Sequence, residues 1–180
     1  MNYARIKKFD IANGPGVRIS LYVSGCTHRC KGCFNEVTWD FNYGQQWTKE
    51  VEDDLIEHLK KPEIKGLNVL GGEPLQQQKD LFDFLKRVCL EVKKPIWLWT
   101  GYNIVDIINK GTNLQRDILY LCDVVVDGLF IEEQKDITLK YRGSANQRVI
   151  DIKKTLDKKR TDIDMSCKFT NDMLIELEGC

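Results

Sequence analysis

Four short apolar runs set the strongest limit on the fold of this chain: residues 17–24 (VRISLYVS), 66–70 (GLNVL), Ile96–Thr100 (IWLWT) and 124–126 (VVV). Each is rich in β-branched or aromatic residues, too short for a helix, and several are bounded by breakers such as Gly25 and the Gly71-Gly72 pair. They read as strands. Between them lie helical stripes. Val51, Leu55 and Leu59 recur every four residues behind Thr48, a residue type that caps helix starts, and Leu81, Leu85, Val88 and Val92 form a second stripe. The stretch 104–122 has the length of a helix with a loop in it, and 148–152 reads as a further strand.

Repeated strand–helix units favour a parallel sheet with right-handed crossovers, because parallel neighbours need a connection of helical length. A complete eight-fold barrel takes about 250 residues. At 180 residues the expectation is therefore an α/β fold in the form of a partial, open parallel barrel, with its site on the loops at the carboxyl ends of the strands. The open side suits a large substrate. The 42% hydrophobic content fits one domain, placed at residues 1–152, followed by a charged tail at 153–180 that is either a surface helix or a mobile extension of the same domain. No internal repeat or low-complexity tract is visible.

Twenty-seven basic residues balance twenty-seven acidic ones, so no overall field draws the chain to phosphate backbones or anionic lipid, and neither nucleic acid nor membrane is expected as a partner. The N-terminal residues contain no apolar run of signal-peptide length, and a cytoplasmic protein is expected. Seven cysteines form an odd set, three of them inside eight residues, which does not suit paired disulfides. Cys89, Cys122, Cys167 and Cys180 are scattered and read as small packing residues or free thiols.

The run Cys26-Thr-His-Arg-Cys30-Lys-Gly-Cys33 places three thiolates on one loop, which suits three corners of a cubane cluster and leaves the fourth iron without a protein ligand. An open iron of this kind can take the amino and carboxylate groups of S-adenosylmethionine. A closed zinc site, recruiting His28 or a distant cysteine, needs four ligands, and only one ligand set is visible. A plain electron carrier needs a fourth cysteine at regular spacing. The loop Gly71-Gly72-Glu73-Pro74-Leu75, between a strand and a helix, offers backbone groups to a charged amino group or is an ordinary turn.

These residues resemble the radical S-adenosylmethionine superfamily and, within it, the activating proteins of anaerobic ribonucleoside-triphosphate reductase. The three-cysteine loop and GGEPL carry the superfamily; GPGVR at 14–18, WTGY at 99–102, DVVVDGLF at 123–130 and YRGSANQRVID at 141–151 carry the narrower likeness. The resemblance implies a radical-SAM type of partial barrel, a 4Fe–4S cluster on Cys26, Cys30 and Cys33, and cosubstrate contacts at Gly32, Cys33, Phe34 and Gly72. It also implies a 5′-deoxyadenosyl radical that takes hydrogen from a glycine of the large reductase subunit, with reduced flavodoxin or ferredoxin as electron donor. Glu73, Thr100 and Asp127 are further candidates for cofactor contact, Thr100 and Asp127 equally for ordinary turn or cap roles. Arg142 and Arg148 either steer the partner's backbone or are solvated. Trp97, Trp99, Tyr102 and Phe130 are expected in the core or pocket wall. The rival readings are an enzyme acting on another glycyl-radical protein or a free metabolite, and a metal-binding module without catalysis.

Overall fold

The computed structural model describes residues 1–162 and 169–177; Cys167 and Cys180 lie outside them. The chain opens with a strand, β1 (Asn2–Asp10), turns through residues 11–17 and returns as β2 (Arg18–Val23). A two-residue strand, β3 (Gln45–Gln46), follows the cysteine loop and precedes α1 (Lys49–Lys60), whose first turn is capped by the Thr48 hydroxyl. Then come β4 (Leu67–Gly71), α2 (Gln78–Arg87) with a π-helical turn at Val88–Val92, and β5 (Ile96–Thr100). The helical span at 104–122 is two helices, α3 (Ile104–Lys110) and α4 (Asn113–Leu121), the second started by a Thr112–Gln115 capping box. β6 (Val124–Asp127), β7 (Arg148–Asp151) and α5 (Ile152–Asp162) complete the order.

The strands form one seven-stranded sheet in the order β3-β1-β2-β4-β5-β6-β7, which does not close on itself. The expectation of a parallel sheet holds only in the middle. β2, β4, β5 and β6 run parallel, while β1 pairs antiparallel with β2 and β3, and β7 antiparallel with β6. The physical reason is the length and kind of connection. The short turn at 11–17 can join only antiparallel neighbours, and the link between β6 and β7 crosses over the carboxyl ends of the strands without a crossover helix.

Alternation along the strands divides the core in two. Ile19, Leu21, Val69, Leu98 and Val125 face the helices and pack with Leu55, Leu59, Phe84 and Leu119. On the other face Trp97, Val124, Val126 and Val149 pack with Trp99 and Tyr141. The same face carries a buried polar network. The Arg18 guanidinium, 1% exposed, donates to Asn68 Oδ1 at 2.6 Å and to the carbonyls of Leu67 and Pro95 at 3.0 and 2.9 Å, and lies 5.5 Å from the Trp97 ring. Burial pulls its pKa down to about 10, so it stays a cation at neutral pH. Asn68 donates to Ser20 Oγ and to the Asn13 carbonyl; Ser20 and Asn13 in turn donate to Asp10. This chain of bonds anchors the 11–17 turn beneath the sheet's open face.

Residues 169–177 pack on the same body. Phe169 is buried and its backbone exchanges two hydrogen bonds with the Asn109 side chain, while Leu177 and Asp151 make ladder bonds to Val149 and Ile175. Among the described residues no helix is long and apolar enough to cross a membrane.

Candidate functional site

The carboxyl ends of β2, β4, β5 and β6 all open into one cavity of about 430 Å³, within the range that holds a small organic ligand. Its wall includes Cys26, Cys30, Cys33, Phe34, Gly72, Glu73 and Thr100. The structure thus brings together seven of the nine residues expected to hold the cluster or touch the cosubstrate. It does not bring in the other two, Gly32 and Asp127.

The cysteine loop is rooted where β2 ends: the amides of Gly25 and Cys26 donate to the Thr38 and Trp39 carbonyls at 2.7 and 3.1 Å. The loop after β4 lies directly against this root, with Gly72 N donating to Val23 O at 2.7 Å and Glu73 N to Gly25 O at 2.8 Å. A Cβ at Gly72 would sit 2.5 Å from the Gly25 carbonyl oxygen, so the approach of the two loops excludes a side chain there. Gln77 and Gln76 add bonds to Gly25 O and to Thr27.

Gly32 sits at a φ of +69°, in the left-handed region that favours glycine. A Cβ on it would meet the Glu132 carboxylate at 2.7 Å. The 128–135 segment folds back over the cysteine loop at this point, held by Lys31–Glu132 and Lys31–Glu133 ion pairs of 3.1 and 3.2 Å and by the Phe34 and Phe130 rings, 5.4 Å apart.

Asp127 is fully buried and lies off the cavity wall. Arg148 grips both its oxygens at 2.8 and 2.5 Å, and its carboxylate also accepts from the Ile104 amide at 2.9 Å, at the start of α3. It ties two elements together. Arg148 is raised by this bond, and with it Arg148 is spent on structure. Arg142, by contrast, lines the cavity, and its buried Nε has no hydrogen-bond partner among the described residues.

The donor set fits an iron–sulfur cluster. Burial pushes the Cys26 thiol up, against the opposing pull of the His28 and Arg29 amides; burial also raises Cys30, against the Phe130 amide. The Asn35 amide donates to Cys33 Sγ at 3.4 Å. Backbone amides aimed at sulfur stabilise thiolate charge and are a main determinant of cluster properties, and loading would release the protons that burial retains. Among the described residues no three His, Cys, Asp or Glu side chains gather as ligands of a single ion. A cubane does not need such convergence, since each cysteine meets a separate iron. His28 turns its Nε2 to Glu73 at 3.1 Å and its ring against Tyr102, 4.6 Å between centroids.

Sequence reasoning missed several wall residues. Ala12 and Asn13 come from the 11–17 turn and Lys135 and Ile137 from the excursion between β6 and β7. Their only signal was position within the GPGVR and DVVVDGLF neighbourhoods, and nothing local told that both loops return to the same mouth. Trp99 and Phe130 do form part of the wall, as expected of pocket aromatics.

Comparison with known proteins matches residues 12–150 to a family described as a 4Fe-4S single cluster domain. An anaerobic ribonucleoside-triphosphate reductase-activating protein of Vibrio cholerae is 44% identical over 152 residues, 82% of this chain and 96% of its own length. The protein of the same name from Escherichia coli K12 is 44% identical over 154 residues, covering 83% and 97%. That of bacteriophage T4 is 40% identical over 154 residues, covering 83% and 93%. With the cysteine-lined cavity at the strand ends, these likenesses establish that the chain belongs to the family of anaerobic ribonucleoside-triphosphate reductase-activating proteins.

Proposed function

We propose that this protein is an iron–sulfur activase that reductively cleaves S-adenosylmethionine and installs a glycyl radical on the large subunit of anaerobic ribonucleoside-triphosphate reductase. The observation that carries the reading is one cavity shared by the three cysteines of the 26–33 loop and by the Gly72–Glu73 backbone at the neighbouring strand end. Cys26, Cys30 and Cys33 hold the cluster, which when bound supplies the electron for cleavage of the cosubstrate's carbon–sulfur bond.

The rest of the chain binds, orients and excludes water. The backbone at Gly72, pressed to the root of the cysteine loop, presents its groups at the cavity wall beside the thiolates. Trp99 and Phe130 supply apolar wall that keeps water from a reactive radical. Phe34, 67% exposed, stands at the mouth, where the protein substrate arrives. The architecture is a partial barrel of the radical-SAM type: four parallel strands carry the site, and the lack of closure leaves room for a macromolecular substrate. Residues 1–152 and the described part of the tail act as one domain, residues 175–177 pairing with β7. The electron donor is a reduced flavodoxin or ferredoxin, and the reaction runs in the cytoplasm without nucleic acid.

The test is anaerobic reconstitution with iron and sulfide, reduction, and addition of S-adenosylmethionine with the purified large subunit. A glycyl doublet in the electron paramagnetic resonance spectrum, with 5′-deoxyadenosine formed, is the expected result. Deoxyadenosine without the doublet moves the search to another substrate; neither signal from cluster-loaded protein overturns the activase.

A further inference from the structure

Glu73 is the most deeply buried ionisable side chain on the cavity wall, 1% exposed, and its carboxylate is fully used. Oε1 accepts from Thr100 Oγ1 at 2.8 Å and from the Leu75 amide at 3.0 Å; Oε2 accepts from the Gly101 amide at 2.8 Å and from His28 Nε2 at 3.1 Å. A carboxylate offers about four acceptor positions, so these four donors leave none for a bound cosubstrate. The donors come from three separate loops: the cysteine loop, the loop after β4 and the loop after β5. Against a carboxylate, which only accepts, Nε2 is the donor in the bond from His28.

His28 is held from a second side. Its ring lies edge-on to Tyr102, whose hydroxyl accepts from Gln76 Nε2 at 2.9 Å, and Gln76 bonds Thr27 in the cysteine loop through both ends of its amide. A Cβ on Gly101 would lie 2.7 Å from the His28 ring, so the ring also fills the space above the β5 loop. Among the described residues no Lys or Arg pairs with Glu73.

On the activase reading above, we infer that Glu73 is a positioning residue, not a cosubstrate ligand: its saturated carboxylate clasps the cysteine loop, through His28, to the loop after β5, and so sets the spacing between cluster and cosubstrate wall. The sequence expectation gave Glu73 a cosubstrate contact; this reading gives its side chain a positioning task instead. Displacements of about 1 Å at a reacting centre change rates by about two orders of magnitude, which gives such a clasp its consequence. The negative charge is also felt at the sulfurs, since Glu73 adds to the upward push on Cys26 and Cys30.

The experiment is a double-mutant cycle on the reconstituted full chain: Glu73→Gln, His28→Gln and both together. Iron and sulfide content, the S-adenosylmethionine dissociation constant and the change in the reduced cluster's paramagnetic spectrum on adding the cosubstrate are read for each. With the cysteines intact, each protein is expected to load the wild-type amount of iron. Each single change weakens cosubstrate binding about tenfold, the size of one hydrogen bond to a charged group. The double change is no weaker than the worse single one, and the spectral change appears only at correspondingly higher cosubstrate concentration. Additive effects would mean that the two side chains act separately and would overturn the clasp; unchanged binding in both single variants would overturn it as well. Should Glu73→Gln fail to load, the same cycle between Thr100→Val and His28→Gln, which both bond the carboxylate, decides by the same criterion. Wild-type protein that binds no S-adenosylmethionine refutes the activase reading, and the clasp falls with it.

Discussion

On the helix side of the sheet Cys122 is fully buried, its thiol donating to the Ile118 carbonyl at 3.3 Å, and burial raises its pKa well above the usual thiol value. At the carboxyl ends of the strands Cys26, Cys30 and Cys33 are only half-buried along a cavity. Burial raises the first two of these as well, but backbone amides of His28, Arg29 and Phe130 face them and oppose it. The difference is in the neighbours. A thiol offered only a helix carbonyl is a small apolar filler; a thiol on a solvent-reachable loop with amides facing it has donors in place for the thiolate that metal binding creates.

The sharpest break between the two groups is Cys30→Ala. Removing one of three cluster ligands is expected to bring iron content and 5′-deoxyadenosine formation to background. The half-buried position holds the change in thermal stability of the unloaded protein within about 0.5 kcal/mol. Retained cleavage in this variant would end the distinction drawn here. The next largest effect lies on the cavity side of the sheet, in the Arg18 network. Arg18→Leu strips the charged donor from buried Asn68 Oδ1 and from two carbonyls, and is expected to lower the unfolding free energy by about 3 kcal/mol in urea titration. A loss below about 1 kcal/mol would show that this face is as forgiving as the cysteine loop.

Much of this was legible in the sequence, and the part that was not has a common cause. Thr48 capping α1, the apolar runs at β4, β5 and β6, and the stripe of Leu81, Leu85 and Val88 depend on neighbours within a few residues, and periodicity reports such neighbours directly. β1 escaped notice because Arg5, Lys7 and Lys8 interrupt its apolar alternation. Its lysines are satisfied by partners far along the chain, Lys7 over the Tyr22 ring and Lys8 at Asp54. The antiparallel edges were hidden for the same reason, because pairing direction depends on where a loop returns and not on its composition. At the site, the three cysteines and Gly72 were visible as motifs. The surroundings of Gly32 and Asp127 were not, since Glu132 and Arg148, which they meet, stand 100 and 21 residues away.

Acid sensitivity sharpens the comparison further. Asp10, at the end of the Arg18 network, is pushed up by burial, but bonds from Ser20, Asn13 and the Ala12 amide outweigh this and leave its pKa below 3.8. A carboxylate depressed in the folded state contributes stability that is present above its unfolded value and lost as pH falls through the lower folded one. Stability of the wild type should therefore decline below about pH 4, and Asp10→Asn should be less stable near neutrality with a shallower acid limb. Parallel acid limbs in chemical denaturation would remove Asp10 from the account.

The smallest effect is expected at Cys89, which separates burial from function. Its thiol lies partly buried in the π-helical turn, 3.6 Å from the Leu121 carbonyl, and is raised first by burial and then by the Asp123 charge. The Lys153 charge pulls the other way, but among the described residues no amide opposes the shift. Truncation to alanine removes one partly exposed sulfur and one weak hydrogen bond, so Cys89→Ala should change stability by less than about 1 kcal/mol and leave iron content and deoxyadenosine yield at wild-type values. Loss of iron in this variant would mean that the helix side also reaches the cluster, and the two populations of cysteine would have to be treated as one.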